Sequence, residues 1–134
     1  MVNIIVCRIQ LLSVTAQIKI EELFQTGLKH YHSRDFFEAH EVWEELWSEY
    51  YLEDRKFIQG LIQLAVSFVH LGNGNMNGAK SLLRKCTEKF ESFFGIHRGI
   101  NVQILLDNIE QVRRAYEVAN VPDDFDWNLV PSLD

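Results

Sequence analysis

The sequence predicts an all-α fold, a compact bundle of about five helices built from antiparallel helical hairpins. Three observations carry this expectation. Apolar residues recur at spacings of three and four over five long segments; only two prolines interrupt 134 residues; and the segments are divided by short runs of Gly, Asn, Asp and Ser, which stop helices and turn chains. A chain of this length makes one domain, able to bury roughly two thirds of the surface its unfolded form would expose. A composition that is 47% hydrophobic and 24% charged fits a globule with a real core and argues against disorder outside the ends.

The first helix is expected from about Ile18 to His32, where Ile20, Leu23, Phe24, Gly27, Leu28 and Tyr31 share one side. Ser33-Arg34-Asp35 breaks that pattern. Asp35, with Glu38 three residues later, forms a capping-box variant that starts a second helix running to about Tyr51. Asp54 is expected to cap a third, Arg55 to about Leu71, whose LIQLAVSFV stretch is apolar around most of its circumference, as a central element should be. Gly72-Asn73-Gly74-Asn75 reads as a turn. A fourth helix, Met76 to Phe94, aligns Met76, Ala79, Leu83, Cys86, Phe90 and Phe93 and stops at Gly95. Asn101 can cap a fifth, on which Val102, Leu105, Ile109, Val112, Tyr116 and Ala119 share a face until Pro122 ends it.

Three parts follow: an arm over residues 1–17, a helical domain over 18–121 and an acidic tail over 122–134. The arm, MVNIIVCRIQLLSVTAQ, is apolar and lacks acids, but Arg8 and Gln10 interrupt it, no basic segment leads it, and it falls short of the ~20 apolar residues of a membrane span. It reads as a loosely attached, disordered extension of the kind an upstream start codon adds, with no membrane role. The tail DDFDWNLVPSLD is expected either to dock back on the bundle or to be captured in a partner's groove. A weak internal repeat at an offset of 40 residues pairs His30 with His70, Phe36 with Met76, Ala39 with Ala79 and Trp43 with Leu83. It implies two hairpins of similar build, in which Gly27, Ala39 and the aromatic after it allow a close helix crossing.

Charge narrows the function. A net charge of -6 argues against general affinity for nucleic acid, and Lys80, Arg84, Lys85 and Lys89 are interleaved with Glu88 and Glu91, as on a solvated helix face. Cys7 and Cys86 are too few for a disulfide framework or a zinc ribbon, so a cytoplasmic setting is expected. There is no Gly-rich phosphate loop after a strand and no nucleophile elbow.

The chemistry concentrates in EAHEVWEELW, Glu38 to Trp47. At 3.6 residues per turn, His40 and Glu44 fall beside the apolar arc of Phe36, Ala39, Trp43, Leu46, Trp47 and Tyr50, while Glu38, Glu41, Glu45 and Glu49 turn away. On the third helix Gln59, Gln63, Val66 and His70 line up in a stripe of uncharged hydrogen-bonding groups, which suits a semi-buried seam better than open surface. Facing one another, the two stripes would join His40, Glu44, Gln59, Gln63 and His70 in one polar cluster. Three readings compete. A structural network would fix helix register. A metal site would use His40 and Glu44 at i and i+4, with His70 or Glu41 as third ligand. A catalytic site would use Glu44, made more basic by burial, as a general base. Trp43 and Trp47 read as core or groove lining, with Glu44 or Gln63 as acceptors for their indole N–H groups.

FFEAHEVWEELW followed by KFIQGLIQLAVSFVHLGNGNMNGAKSLL resembles the family known as domain of unknown function 309, over about Leu23 to Phe94. The resemblance implies a helical bundle with signature positions at Phe37, Glu38, Ala39, His40, Glu41, Glu44, Trp47, Gln59, Gly60, Leu61, Gln63, Ala65, His70, Gly74, Asn75, Gly78 and Ala79. It brings no established activity and no cofactor. Trp43 departs from the pattern, where a smaller aliphatic residue is common. The expected function is a non-enzymatic binding or interaction module, whose groove between the second and third helices offers His40, Glu44, Trp47, Gln59, Gln63 and His70 to a small ligand or a protein segment. The alternative is a small metal-dependent or general-base hydrolase with His40 and Glu44 catalytic, or with His40, Glu44 and His70 as metal ligands.

Overall fold

The computed structural model describes residues 2–119 and 121–134, with side chains from residue 13 onward. Five helices follow in order, α1 (Val2–His32), α2 (Phe36–Glu49), α3 (Arg55–Gly72), α4 (Met76–Phe90) and α5 (Val102–Val118), and each packs against the next. Between α4 and α5 lies a hairpin of two short strands, β1 (Ile96–His97) and β2 (Ile100–Asn101), and two 3-10 turns, Pro122–Asp124 and Trp127–Leu129, shape the tail. None of the described helices is long and apolar enough to cross a membrane.

The repeat seen in the sequence is present in the backbone. At the end of α1, Asp35 N–H donates to His30 O and Arg34 N–H to Tyr31 O; forty residues later Asn75 N–H donates to His70 O and Gly74 N–H to Leu71 O. Both ends are closed by the paired bonds of a Schellman motif, and both need a left-handed residue at the same point, Arg34 with φ 67° and Gly74 with φ 79°. α1–α2 and α3–α4 are therefore two hairpins of one design.

Close approach within each hairpin is set by small residues. A Cβ added to Gly27 would fall 2.0 Å from Trp43 Nε1, so the large indole lies flat against bare α1 backbone, and its N–H donates to Phe24 O at 3.2 Å. Trp43 fits at this crossing because Gly27 makes room for it. Gly60 likewise admits the Phe90 ring between α3 and α4. α3 is the hub: Phe57, Ile58, Leu61, Leu64, Ala65, Phe68 and Leu71 are all buried, and burying each large side chain contributes about 2 kcal/mol.

The tail docks back on the bundle. Phe125, Val130 and Leu133 are buried, Trp127 stacks on Phe36, the Tyr31 hydroxyl donates to Pro131 O at 2.7 Å, and Leu133 N–H donates to His32 Nε2 at 3.1 Å. Burial pushes the Tyr31 hydroxyl well above its ordinary value, so it remains a donor.

Several expected boundaries shift. The backbone is helical from Val2, so residue 17 marks no break between an arm and the first helix. α2 ends at Glu49, α4 at Phe90 and α5 at Val118, each before the expected stop. Asn75 and Asn101 cap α4 and α5 with side-chain bonds to Gly78 N–H and Ile104 N–H, but Asp35 and Asp54 make no side-chain cap. Asp35 is excused because the Schellman bonds already hold the turn; Asp54 is occupied elsewhere.

Candidate functional site

Helical spacing brings most of the expected polar residues to one place. His40, Glu44 and Trp47 stand at i, i+4 and i+7 on α2, and Gln59, Gln63 and Val66 at i, i+4 and i+7 on α3. These two stripes, with Ile62 of α3 and Leu82 of α4, line a cleft of about 360 Å³. His70 is not part of it. One turn farther along α3, its Nδ1 lies 3.4 Å from Asn75 Nδ2, with the ring against the first turn of α4.

The depth of the His40–Glu44 pair also differs from expectation. The His40 side chain is 17% exposed and Glu44 58%, so the carboxylate stands at the rim rather than in the apolar interior. The burial that a Glu44 general base requires is missing, because a glutamate at the edge of the arc can reach water by extending its chain. His40 has a defined tautomer. Its Nδ1 is 2.8 Å from Phe37 O, and a carbonyl only accepts, so Nδ1 carries the proton. Nε2 then faces Glu44 Oε2 at 3.6 Å and Glu41 Oε1 at 4.0 Å, as an acceptor in the neutral ring or as an ion-pair partner in the charged one. Among the described residues no group of three or more His, Cys, Asp or Glu side chains is arranged to hold a metal. His40 and Glu44 supply only two ligands, and His70 is too far along its helix to be the third.

The buried side of the cleft holds two polar atoms without partners among the described residues, Trp47 Nε1 and Gln63 Oε1. Neither Glu44 nor Gln63 accepts from an indole: Trp43 uses Phe24 O, and Trp47 has no acceptor. Trp47 is otherwise well fixed, since the Arg55 guanidinium lies 4.0 Å from its ring centroid and donates to its carbonyl at 3.1 Å. One buried donor and one buried acceptor are thus left open on facing helices, at about 1–3 kcal/mol each.

A second cluster lies at the loop between α2 and α3, and sequence reasoning missed it. Arg98 and Gly99, with φ 49° and 78°, form the two-residue loop of the β1–β2 hairpin, a conformation that matches strand twist. The loop aims His97 and Arg98 at Asp54. Arg98 grips the carboxylate with two bonds, Nη2 to Oδ1 at 2.9 Å and Nε to Oδ2 at 2.5 Å, and His97 Nε2 adds a third at 2.8 Å. Partial burial opposes ionisation of Asp54, but the bonds from Arg98 and then His97 outweigh it and hold the carboxyl down to about 2. The His97 ring is flanked by Phe57 and Phe93, and the Arg98 guanidinium lies over Phe24. An Arg-Gly pair between two isoleucines was the local signal for the hairpin. Nothing local linked it to an aspartate more than forty residues earlier.

The groove between α4 and α5, about 630 Å³, mixes Lys80 and Arg84 with Glu88, Glu91, Glu110 and Glu117. Arg113 bonds both Glu110 and Glu117, so this is the solvated mixed-charge face the sequence suggested.

Fold and cleft define a class: a small all-α bundle of two like hairpins and a fifth helix, with a partly open polar cleft where the hairpins meet. Residues 24–82, from the later turns of α1 into α4, match the model of the family described as domain of unknown function, DUF309. The match contains all the cleft-lining residues. The chain is 26% identical over 103 residues to an uncharacterized protein of Aquifex aeolicus (strain VF5), covering 76% of this chain and 31% of that protein. It is 46% identical over 52 residues to the uncharacterized protein YpuF of Bacillus subtilis (strain 168), covering 38% of this chain and 30% of that one. The aligned stretch is therefore under a third of each relative's length.

Proposed function

We propose that the protein is a binding module whose cleft between α2, α3 and α4 receives a small ligand or the end of a partner segment. One observation carries this reading: two residues that line the same cleft, Trp47 and Gln63, each hold a buried polar atom of opposite kind, an indole N–H donor and an Oε1 acceptor, with no partner among the described residues. Buried hydrogen-bonding groups are overwhelmingly paired in folded proteins, and a purely structural network would have paired these two. Neither atom contacts solvent in the free protein, so a ligand that draws the two side chains toward the cleft and supplies an acceptor and a donor removes both penalties on binding. The cleft volume suits a small molecule or one or two residues of a peptide. The same reading assigns the protein to the cytoplasm, supported by a sequence whose two cysteines are too few for a disulfide framework.

His40 favours a second reading. With Nδ1–H held by Phe37 O, its Nε2 is oriented as a base at the cleft, so general-base hydrolysis would rest on His40 rather than Glu44.

Native mass spectrometry of the protein purified from its own host, followed by an NMR fragment screen read at the Trp47 indole N–H, tests the binding function. A co-purifying mass or a saturable indole shift, lost in Gln63→Met, supports it. Clean apo masses together with an unresponsive indole across the screen rule it out.

A further inference from the structure

We propose that the cleft takes a small organic cation, a primary ammonium joined to an apolar body and a carboxamide. This rests on the binding function above and adds the ligand's chemical class.

Charge decides first. Glu44 is the one acidic side chain lining the cleft among the described residues, and no lysine or arginine lines it. A phosphate or carboxylate would shed water to enter a site with nothing to neutralise it and one carboxylate to repel it. Arg55, the cation that touches Trp47, is already engaged by the indole ring and the Trp47 carbonyl.

Donor and acceptor inventory decides next. The tautomer fixed by Phe37 O leaves the neutral His40 ring with its Nε2 lone pair 3.6 Å from Glu44 Oε2. A carboxylate and an imidazole acceptor side by side match the N–H donors of an ammonium group, and charge-assisted bonds of this kind are the strong ones. Ile62 and Leu82 supply an apolar wall. Behind the cleft wall, Trp47 Nε1–H lacks an acceptor and Gln63 Oε1 a donor among the described residues; a carboxamide carries both in one planar group and reaches them when the two side chains turn toward the cleft. An amino-acid amide and the first residue of a peptide chain share this chemistry.

The test titrates the isotope-labelled full chain with four probes, leucinamide, 4-methylpentanamide, 4-methylpentanoate and the peptide Leu-Gly-Gly, following the Trp47 indole N–H. Leucinamide is expected to shift that resonance saturably. 4-Methylpentanamide, which keeps body and carboxamide but lacks the ammonium, should bind at least tenfold more weakly, and the anionic 4-methylpentanoate should not bind. Glu44→Gln should weaken leucinamide about tenfold with an unchanged melting temperature, since the side chain is mostly exposed. Tighter binding of Leu-Gly-Gly than of leucinamide supports a peptide N-terminus as the source, and the reverse order supports a free amide. Equal binding of the neutral or anionic probe, or an unaffected Glu44→Gln variant, overturns the cationic class while leaving the cleft a binding site. No response to any of the four probes overturns the inference alone, because the native-mass and fragment measurements test the cleft separately.

Discussion

The α2–α3 cleft and the loop that joins the two helices handle polar groups in opposite ways. At Asp54, a carboxylate whose side chain is only 14% exposed receives three bonds from Arg98 and His97, which engage both of its oxygens. In the cleft, His40 and Glu44 stand 3.6 Å apart at the rim while Trp47 Nε1 and Gln63 Oε1 go unpaired. The first arrangement is a clasp: it ties the α2–α3 loop to the β1–β2 hairpin and holds it there. The second keeps hydrogen-bonding capacity in reserve, at a cost to the free protein. A well-satisfied carboxylate is what a structural tie requires, and the unpaired groups of the cleft are what the proposed binding function uses.

If the contrast holds, mutations should separate the two regions by size and by sign. The largest effect is expected from Asp54→Ala, which leaves Arg98 and His97 without their acceptor: about 3 kcal/mol of stability and roughly 10 °C in melting temperature, read by calorimetry. A loss under a third of that would make the clasp a surface ion pair. Acid should release the same clasp. Because the Asp54 carboxyl is held at about 2 in the fold, below its ordinary 3.8, its contribution is present above about pH 4 and is lost as pH falls through 2. That loss amounts to about 2 kcal/mol, and a pH series of urea melts should show it in the wild type and not in Asp54→Asn.

The cleft should respond with the opposite sign. Gln63→Met keeps the volume and removes the unpaired acceptor, so the free protein should gain about 1 kcal/mol and melt a few degrees higher. Destabilisation instead would show that Gln63 is already paired in solution. Glu44→Gln, the smallest change, should move stability by less than about 0.5 kcal/mol, because a carboxylate 58% exposed gives up little in water.

Legibility in the sequence followed the range of the interaction. The stripes on α2 and α3 could be read because helical period alone sets which residues share a face, so His40, Trp47, Gln59 and Gln63 meet as expected. The error over Glu44 came from depth. Angle around a helix locates a residue to within a sector, but at the edge of that sector a flexible side chain chooses water. His70 shares the stripe and misses the cleft because the stripe runs past the cleft's end. Asp54 looked like a cap because aspartate before a helix usually is one, and its true partners arrive from another part of the chain.

Periodicity, turn residues and the repeat at 40 residues were enough to determine five helices, two like hairpins and the central place of α3, because each rests on spacing along the chain. Only the tertiary structure decided that Trp43 lies on Gly27, that Asp54 is clasped by His97 and Arg98, and that Trp47 and Gln63 face each other's cleft with their bonds unmade. Those outcomes depend on distances between segments far apart in sequence, where a shift of an ångström decides whether a hydrogen bond forms.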